Sequence, residues 1–516
     1  MLRRANAIYC KRGILSFNLT LSDFVNLTAH YNLVPIIKSI PLGEETPLTV
    51  FEKLAQEKPG SFLLESAEQG IWSRYSFIGV TNRGSLIKHP DGRASWQSES
   101  GQSPFPDRDA SDLVAGALDA IEQIGSSWKS PVLQGTPPLT SGLVGLLAWD
   151  VIREIENLPK PPSSDYKSPL VSLSMSAEMV IVDHHEEKLL LLSNIFVTSG
   201  SVFEQLYNHA LVQIENLESR LKTASINAPE ISKPQADGIH HRIAKEDFLS
   251  QLDKAKHFVT IGDVFQVVLS QRFDVKTDAT PLQVYRKLRE LNPSPYMYLL
   301  NFEDENGSYA VVGSSPEALV TVTHGHAEMH PIAGSRPRGK TAEEDQVLAD
   351  GLIADHKERA EHLMLVDLAR NDLLKVCEPG SVRVTEFMQI HKFSHIMHLN
   401  STVEGQVRPG QSPVDVFRAT FPAGTLSGAP KPRALEIIDE LEPTNRGTYA
   451  GVVGYFDFVG NADLAIAIRT AFMRDGVAHV QSGAGIVLDS VNETEYQETI
   501  SKASAPIRAI QLASIE

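Results

Sequence analysis

The sequence predicts an α+β fold in which large, mostly antiparallel β-sheets carry flanking helices. Three observations point there. Short apolar or alternating runs bounded by Gly, Pro, Asn and Asp recur along the whole chain. Helical spacing interrupts them without a regular βαβ alternation, and no internal repeat is present. Near the C-terminus three strand-like runs follow one another, Gly451–Val459, Asp463–Arg474 and Ala478–Leu488, as in an antiparallel set.

From Pro35 to Leu192 short strands outnumber helices. Phe62–Ser66 and Trp72–Val80 read as strands, with Glu68-Gln69-Gly70 at the turn between them. Leu113–Ile124 has helical spacing, and Leu139–Ile152 is an apolar run behind a Pro-rich loop. Glu178–Val182 and Lys188–Ser193 flank Asp183–Glu187 as the arms of a hairpin. A helix from Phe203 to Thr223 runs into ASINAPEISKPQADG, whose Pro, Ala and Ser content marks a linker. The chain therefore divides into a segment 35–215, a linker 216–243 and a second segment 244–510. In the second segment, helices at Glu246–Gly262 and Pro281–Leu291 enclose the strand Asp263–Val275, and the prolines of NPSP stop the second helix. Strands follow at Tyr296–Asn301, Ala310–Gly313, Ala318–Val322 and Ala327–Pro331. After a helix through Glu358–Asp372 come strands at Val382–Ile390 and Ser394–Val407. A helix from Pro413, the loop Phe421–Lys431 and the helix Pro432–Leu441 complete the order.

At 516 residues the chain can bury a large core. Its net charge of −17 argues against nucleic acid as the main ligand. The two cysteines, Cys10 and Cys377, suit a reducing compartment and exclude a cysteine zinc cage. No apolar run is long enough to span a bilayer. The start, MLRRANAIYCKRGILSF, is basic and acid-poor, a composition shared by transit peptides and by untargeted termini. The reading adopted is a cytoplasmic protein with no membrane and no nucleic-acid partner.

The chemistry centres on Glu358–Asp372. Glu358 and Glu361 are three apart and leave one face of the helix. Glu495 and Glu498 repeat the spacing near the C-terminus, with Lys502 four residues on. Two such pairs can enclose a hard cation, Mg²⁺ being the natural candidate, although solvated helix faces carry the same pattern. Gly483-Ala484-Gly485 ends a strand where backbone N–H groups can meet an anion, or where the chain simply turns. Arg336 and Arg338 suit either a carboxylate or the holding of their own loop. Arg469, within the apolar run AIAIRTAFM, suits a substrate carboxylate if it points inward. His395 and His398 face opposite sides of a strand, which leaves one of them to act as acid or base. Tyr449 and Thr425 are polar groups in Gly-rich surroundings. Together these parts suggest metal-assisted work on a small polyanion.

The motifs IAGSRPRG, AEHLMLVDLARND, FPAGTLSGAPK and QSGAGIV, in that order, resemble those of the chorismate-utilising enzymes from Glu246 to about Ala509. Within that family the chain is most similar to the anthranilate synthase component I branch, and FLLESAEQG and WSRYSFIG extend the likeness. The resemblance implies the family's fold, with 35–215 packed on a chorismate-binding segment 244–510. It implies conversion of chorismate and ammonia to anthranilate and pyruvate, with aminodeoxychorismate synthase component I as the neighbouring alternative. It places Glu361 and Glu498 as Mg²⁺ ligands with Glu358 and Glu495 behind them. Gly334, Ser335, Tyr449, Arg469, Gly483, Ala484, Gly485 and Lys502 are implied around chorismate, and Glu317, His398, Gln266 and Thr425 in catalysis. Members that add water carry lysine where Gln266 stands, and aminodeoxychorismate synthases carry a nucleophilic lysine where Ala333 stands. LLES and NPSPYM resemble the tryptophan site of feedback-inhibited members, which implies Glu65, Ser66, Pro295, Tyr296 and Met297 as tryptophan contacts and Arg74 as a candidate for its carboxylate. No Gly-x-Cys-x-Gly turn is present, so ammonia from glutamine is expected from a separate amidotransferase subunit in a hetero-oligomer.

Overall fold

A computed structural model describes residues 17–66, 74–224, 238–392 and 396–514. Cys10, the Glu68–Gly70 turn, His395 and linker positions 225–237 lie outside the described residues.

The strands join into one continuous antiparallel system. Its path begins with Gly428–Ala429 on Gln266–Lys276 and continues through Val477–Ile486, Thr470–Arg474, Gly307–Ser315 and Tyr296–Asp304. There it crosses to the N-terminal half, because Phe62–Glu65 pairs with Tyr296–Asp304 and passes the ladder to Tyr75–Lys88 and Val171–Asp183. It returns through Gly142–Leu147, which pairs with Val452–Asp457. From there it runs over Ala462–Ile466, Ala318–Thr323 and His326–Met329 to Ile396–Gln406, which also holds Ile332–Pro337 and Arg383–Lys392. The 35–215 and 244–510 segments thus share both ladders and core.

The packing reflects the strand pattern. An inner layer of aromatic and branched side chains, including Phe62, Phe77, Tyr298, Val311, Tyr455 and Phe472, fills the space between facing sheets. Two outer cores cover the remaining faces with helices. Pro281–Leu291 shows the local logic. Thr280 and Gln283 form a capping box, Pro281 sits at the first helical position, and Val284, Tyr285 and Leu288 are buried. Two further helices carry the glutamate pairs. His356–Leu374 is capped by the Asp355 carboxylate, which accepts from the N–H groups of Lys357 and Glu358. Asn492–Ala513 presents Glu495, Glu498 and Lys502 at i, i+3 and i+7, on one face. No helix among the described residues is long and apolar enough to cross a membrane.

Two strand expectations need correction. The run Asp463–Arg474 is two strands, Ala462–Ile466 and Thr470–Arg474, broken at a turn where Arg469 has φ 52°. Ala327–Pro331 ends at Met329, and a new strand opens at Ile332. Apolar residues continue on both sides of each break, which is why the sequence hides them.

Candidate active site

The floor is the strand pair Gln266–Lys276 and Val477–Ile486, with Val268 opposite Gly485 and Ser270 opposite Gly483. A Cβ on Gly485 would lie 2.4 Å from Gln266 Nε2, so glycine is what lets the Gln266 amide cross the strand. Gln266 is buried, and its Oε1 has no hydrogen-bond partner. A Cβ on Gly483 would lie 2.7 Å from the Tyr449 hydroxyl, which puts that hydroxyl against the same floor. Ala484, between the glycines, is fully buried.

A pair absent from the sequence reading fixes this floor. Glu442 Oε1 accepts from Ser270 N–H and Oγ–H, each at 2.8 Å. Arg446 pairs with both Glu442 oxygens and donates to the Leu426 and Val268 carbonyls at 2.7 and 2.8 Å. The i, i+4 spacing of Glu442 and Arg446 was the available signal, obscured by Pro443 between them.

One wall is acidic and cationic in turn. Thr425, in the short helical turn Gly424–Leu426, donates to Glu317 Oε1 at 2.9 Å. Burial pushes the Glu317 carboxyl up to about 7, against the Thr425 hydrogen bond and the nearby charges of Lys502 and Arg469. Burial lowers the pKa of Arg469, while Tyr449, Glu317 and Glu498 oppose that shift. The Arg469 side chain makes no ion pair among the described residues, so a half-buried guanidinium stands ready for an anion. Lys502 donates to the Gly483 carbonyl at 3.1 Å and pairs with Glu498 at 2.5 Å.

The opposite wall comes from Ile332–Pro337 and Ile396–Gln406, where Ser335 lies opposite His398. His398 Nδ1 lies 3.0 Å from the Gly334 carbonyl. A carbonyl only accepts, so Nδ1 carries the proton and Nε2 is the basic atom of the neutral ring. Burial lowers the His398 pKa, and Arg469 adds to that. Gly334 has φ 64°, and a Cβ there would come within 2.9 Å of a Glu358 carboxylate oxygen. Arg336 pairs with Asp355 at 2.9 Å and Arg338 with Asp345 at 2.7 Å, so of the two roles open to these arginines the structure shows the holding of their own loop.

Above this wall the two glutamate pairs come together. The Glu361 carboxyl is raised first by burial, then by the charges of Glu358 and Glu498. Glu495 is raised by burial and by Glu498. Carboxylates from two helices that disfavour one another's ionisation are a donor set suited to a hard divalent cation, so these residues fit Mg²⁺. His362, beside Glu361, is fully buried with Nε2 2.6 Å from Ser401 Oγ, which ties this helix to the His398 strand.

The LLES and NPSPYM segments are brought together. Met297 lies opposite Glu65 in the ladder between Phe62–Glu65 and Tyr296–Asp304. Met297 belongs to that ladder and Tyr296 to the one with Gly307–Ser315, and the stretch before Tyr296 lies outside both. Glu65 is buried, and its Oε1 accepts from the Tyr285 hydroxyl at 2.7 Å and Arg289 Nε at 2.5 Å. Tyr296 donates to Asp463 at 3.1 Å. Ser66 follows the strand, half-buried, and Pro295 precedes Tyr296. Arg74 pairs with Asp183 through contacts of 3.2 and 3.0 Å.

The family model for chorismate binding enzymes matches residues 61–508. The chain is 47% identical to anthranilate synthase component 1 of Arthrobacter globiformis, over 97% of this chain and 94% of that one. It is 46% identical to the same-named protein of Mycolicibacterium smegmatis, over 95% and 93%. The crystal structure of anthranilate synthase component I from Streptococcus pneumoniae superposes with a TM-score of 0.72 at 34% identity, covering 85% of this chain and 93% of that chain. The menaquinone-specific isochorismate synthase MenF of Escherichia coli shares the fold, with a TM-score of 0.69 at 18% identity, over 95% of this chain and 99% of that chain. The chain belongs to the chorismate-binding enzyme family, in the branch of anthranilate synthase component I.

Proposed function

We propose that this chain is a Mg²⁺-dependent lyase that converts chorismate and ammonia to anthranilate, pyruvate and water, as its relatives' names suggest. The observation that carries the reading is Arg469, a half-buried guanidinium without an ion pair among the described residues, close enough to feel the charges of Tyr449, Glu317 and Glu498. Arg469, Tyr449 and the amides around Gly483 and Gly485 take one substrate carboxylate, and Ser335 and Gly334 border the ring. Glu361 and Glu498, backed by Glu358 and Glu495, hold Mg²⁺, which when bound supplies charge neutralisation and orientation for the other carboxylate.

Glu317 gives its proton to the departing C4 hydroxyl, and its raised pKa keeps a substantial protonated share near neutrality. Gln266 Oε1, a buried acceptor without a donor, accepts a hydrogen bond from an N–H of ammonia as the ammonia lone pair attacks C2, the new amine remaining protonated. An amide at this position cannot deprotonate water, and Ala333 offers no nucleophile, so ammonia addition is the reaction the floor suits. His398 Nε2 then assists loss of the C2 proton as pyruvate leaves and the ring becomes aromatic.

Two further parts rest on the motifs. Tryptophan binds where LLES meets NPSPYM, at Glu65, Ser66, Pro295, Tyr296 and Met297, and favours a less active state. Ammonia from glutamine comes from a separate amidotransferase component; Cys377 is buried with its thiol pushed up to about 11, unsuited to glutamine hydrolysis. The test is the purified chain with chorismate, Mg²⁺ and either ammonium or glutamine. Anthranilate fluorescence with ammonium alone supports the reading, and anthranilate from glutamine without a partner contradicts it.

A further inference from the structure

Far from the chorismate floor, the hairpin end of the sheet gathers imidazoles and carboxylates. His326–Met329 pairs with Ile396–Gln406, with Glu328 directly opposite Glu404. His326 and Glu328 are two apart on one strand and share a face with Glu404. Like charges directly opposite across a ladder are unfavourable; Arg383 answers one oxygen of Glu404, and the other oxygen of Glu404 and the Glu328 carboxylate both face His326. His326 Nε2 lies 3.1 Å from Glu404 Oε2 and 3.7 Å from Glu328 Oε1. In a tetrahedron with metal–ligand bonds of about 2.0–2.2 Å, neighbouring donor atoms stand about 3.3–3.6 Å apart. The observed separations bracket that edge. Among the described residues these three are the only His, Cys, Asp or Glu trio whose donor atoms all lie within 4.8 Å of one another, and the four glutamates of the chorismate site form none.

The surroundings fix the donors. Arg383 Nε holds Glu404 Oε1 at 2.8 Å, which turns Oε2 towards His326. His330 Nε2 lies 3.9 Å from Glu328 Oε2, and His330 Nδ1 lies 3.3 Å from Thr402 Oγ1. An imidazole with two carboxylates suits Zn²⁺, Co²⁺ or Ni²⁺ rather than Mg²⁺, which prefers an all-oxygen octahedron. We propose that His326, Glu328 and Glu404 form a second metal site, selective for a borderline divalent transition cation, that staples the His326–Met329 strand to the strand carrying His398. Glu404 and His398 are six residues apart on that strand, about 20 Å, so the metal takes no part in the chorismate reaction.

The experiment titrates the full chain with Co²⁺ in excess Mg²⁺, read by Co²⁺ absorption and calorimetry. One Co²⁺ per chain is expected, with low-coordinate ligand-field bands displaced by Zn²⁺. His326→Ala and Glu404→Gln each lower the affinity about tenfold or more, while Glu361→Ala retains the site. Glu328→Gln, close in shape to the native residue, gives a third reading should His326→Ala fold poorly. Anthranilate formation by His326→Ala in Mg²⁺ remains that of the wild type, so failure here is distinguishable from failure of the catalytic reading. Absence of saturable uptake in excess Mg²⁺, or unchanged uptake in all three variants at this cluster, overturns the proposal and leaves an ion-pair network only.

Discussion

Replacing Glu317 by Gln separates chemistry from stability at one residue. The carboxyl lies at about 7 in the fold against an ordinary 4.5, mainly through burial. As proton donor it acts only when protonated, so activity should fall as pH rises through about 7, and Glu317→Gln should lose about 10²–10⁴-fold in turnover below that pH, with a smaller loss above it. Stability moves the other way. A folded-state pKa above the unfolded one means the native protein binds the extra proton, so ionising Glu317 destabilises the fold progressively from pH 4.5 to about 7. The shift corresponds to about 3 kcal/mol at pH 8, at about 1.4 kcal/mol per pH unit. Glu317→Gln should therefore be more stable than the wild type at pH 8 and nearly equal to it at pH 4.5, read by denaturant unfolding. Thr425→Val supplies the control. Thr425 donates to Glu317 and holds its pKa down, so its loss should move the alkaline limb of kcat/KM upward, by about one unit for a hydrogen bond to a charged group. A limb that stays in place or moves down in Thr425→Val, with no stability gain in Glu317→Gln, refutes the assignment.

Six other substitutions probe the proposed metal site, the elimination, the floor and the proposed tryptophan pocket. Glu361→Ala and Glu498→Ala should each abolish turnover at saturating Mg²⁺ with circular dichroism unchanged, whereas Glu358→Gln should lose about 10–100-fold. His398→Met should form the amino intermediate and release little pyruvate; unchanged anthranilate output would remove His398 from the elimination. Gly485→Ala places a methyl 2.4 Å from Gln266 Nε2 and should depress ammonia-dependent kcat with a smaller effect on chorismate KM. Ser66→Phe should leave catalysis near normal and abolish inhibition by tryptophan, and equal inhibition of both proteins would disprove the site.

The glutamate pairs were legible because helical spacing alone puts residues three apart on one face, and both pairs lie on helices as expected. Arg469 was legible as a residue and not as a conformation. Its apolar neighbours continue the strand pattern, while the backbone breaks there with a positive φ that turns the guanidinium towards Tyr449 and Glu317. The Glu442–Arg446 brace was missed because its value lies in what it reaches, the carbonyls of Val268 and Leu426, and long-range partners leave no local pattern. For the same reason the ladder from Phe62–Glu65 to Tyr296–Asp304, which joins the two halves of the chain, could be suspected only from paired motifs. Arg74 shows the converse: a nearby positive charge suits a ligand on sequence grounds, and in the fold Asp183 holds it.

The central claim is that ammonia, not water, attacks C2 of chorismate on the floor built by Gln266 and Gly485, and that pyruvate then leaves. It is tested most directly by turnover of the purified chain with ¹⁵N-ammonium and Mg²⁺ in H₂¹⁸O, followed by mass spectrometry of the products. The account predicts anthranilate carrying ¹⁵N, no ¹⁸O in the ring product, and pyruvate in equal amount. Isochorismate carrying ¹⁸O, or 4-amino-4-deoxychorismate formed without pyruvate, would contradict it.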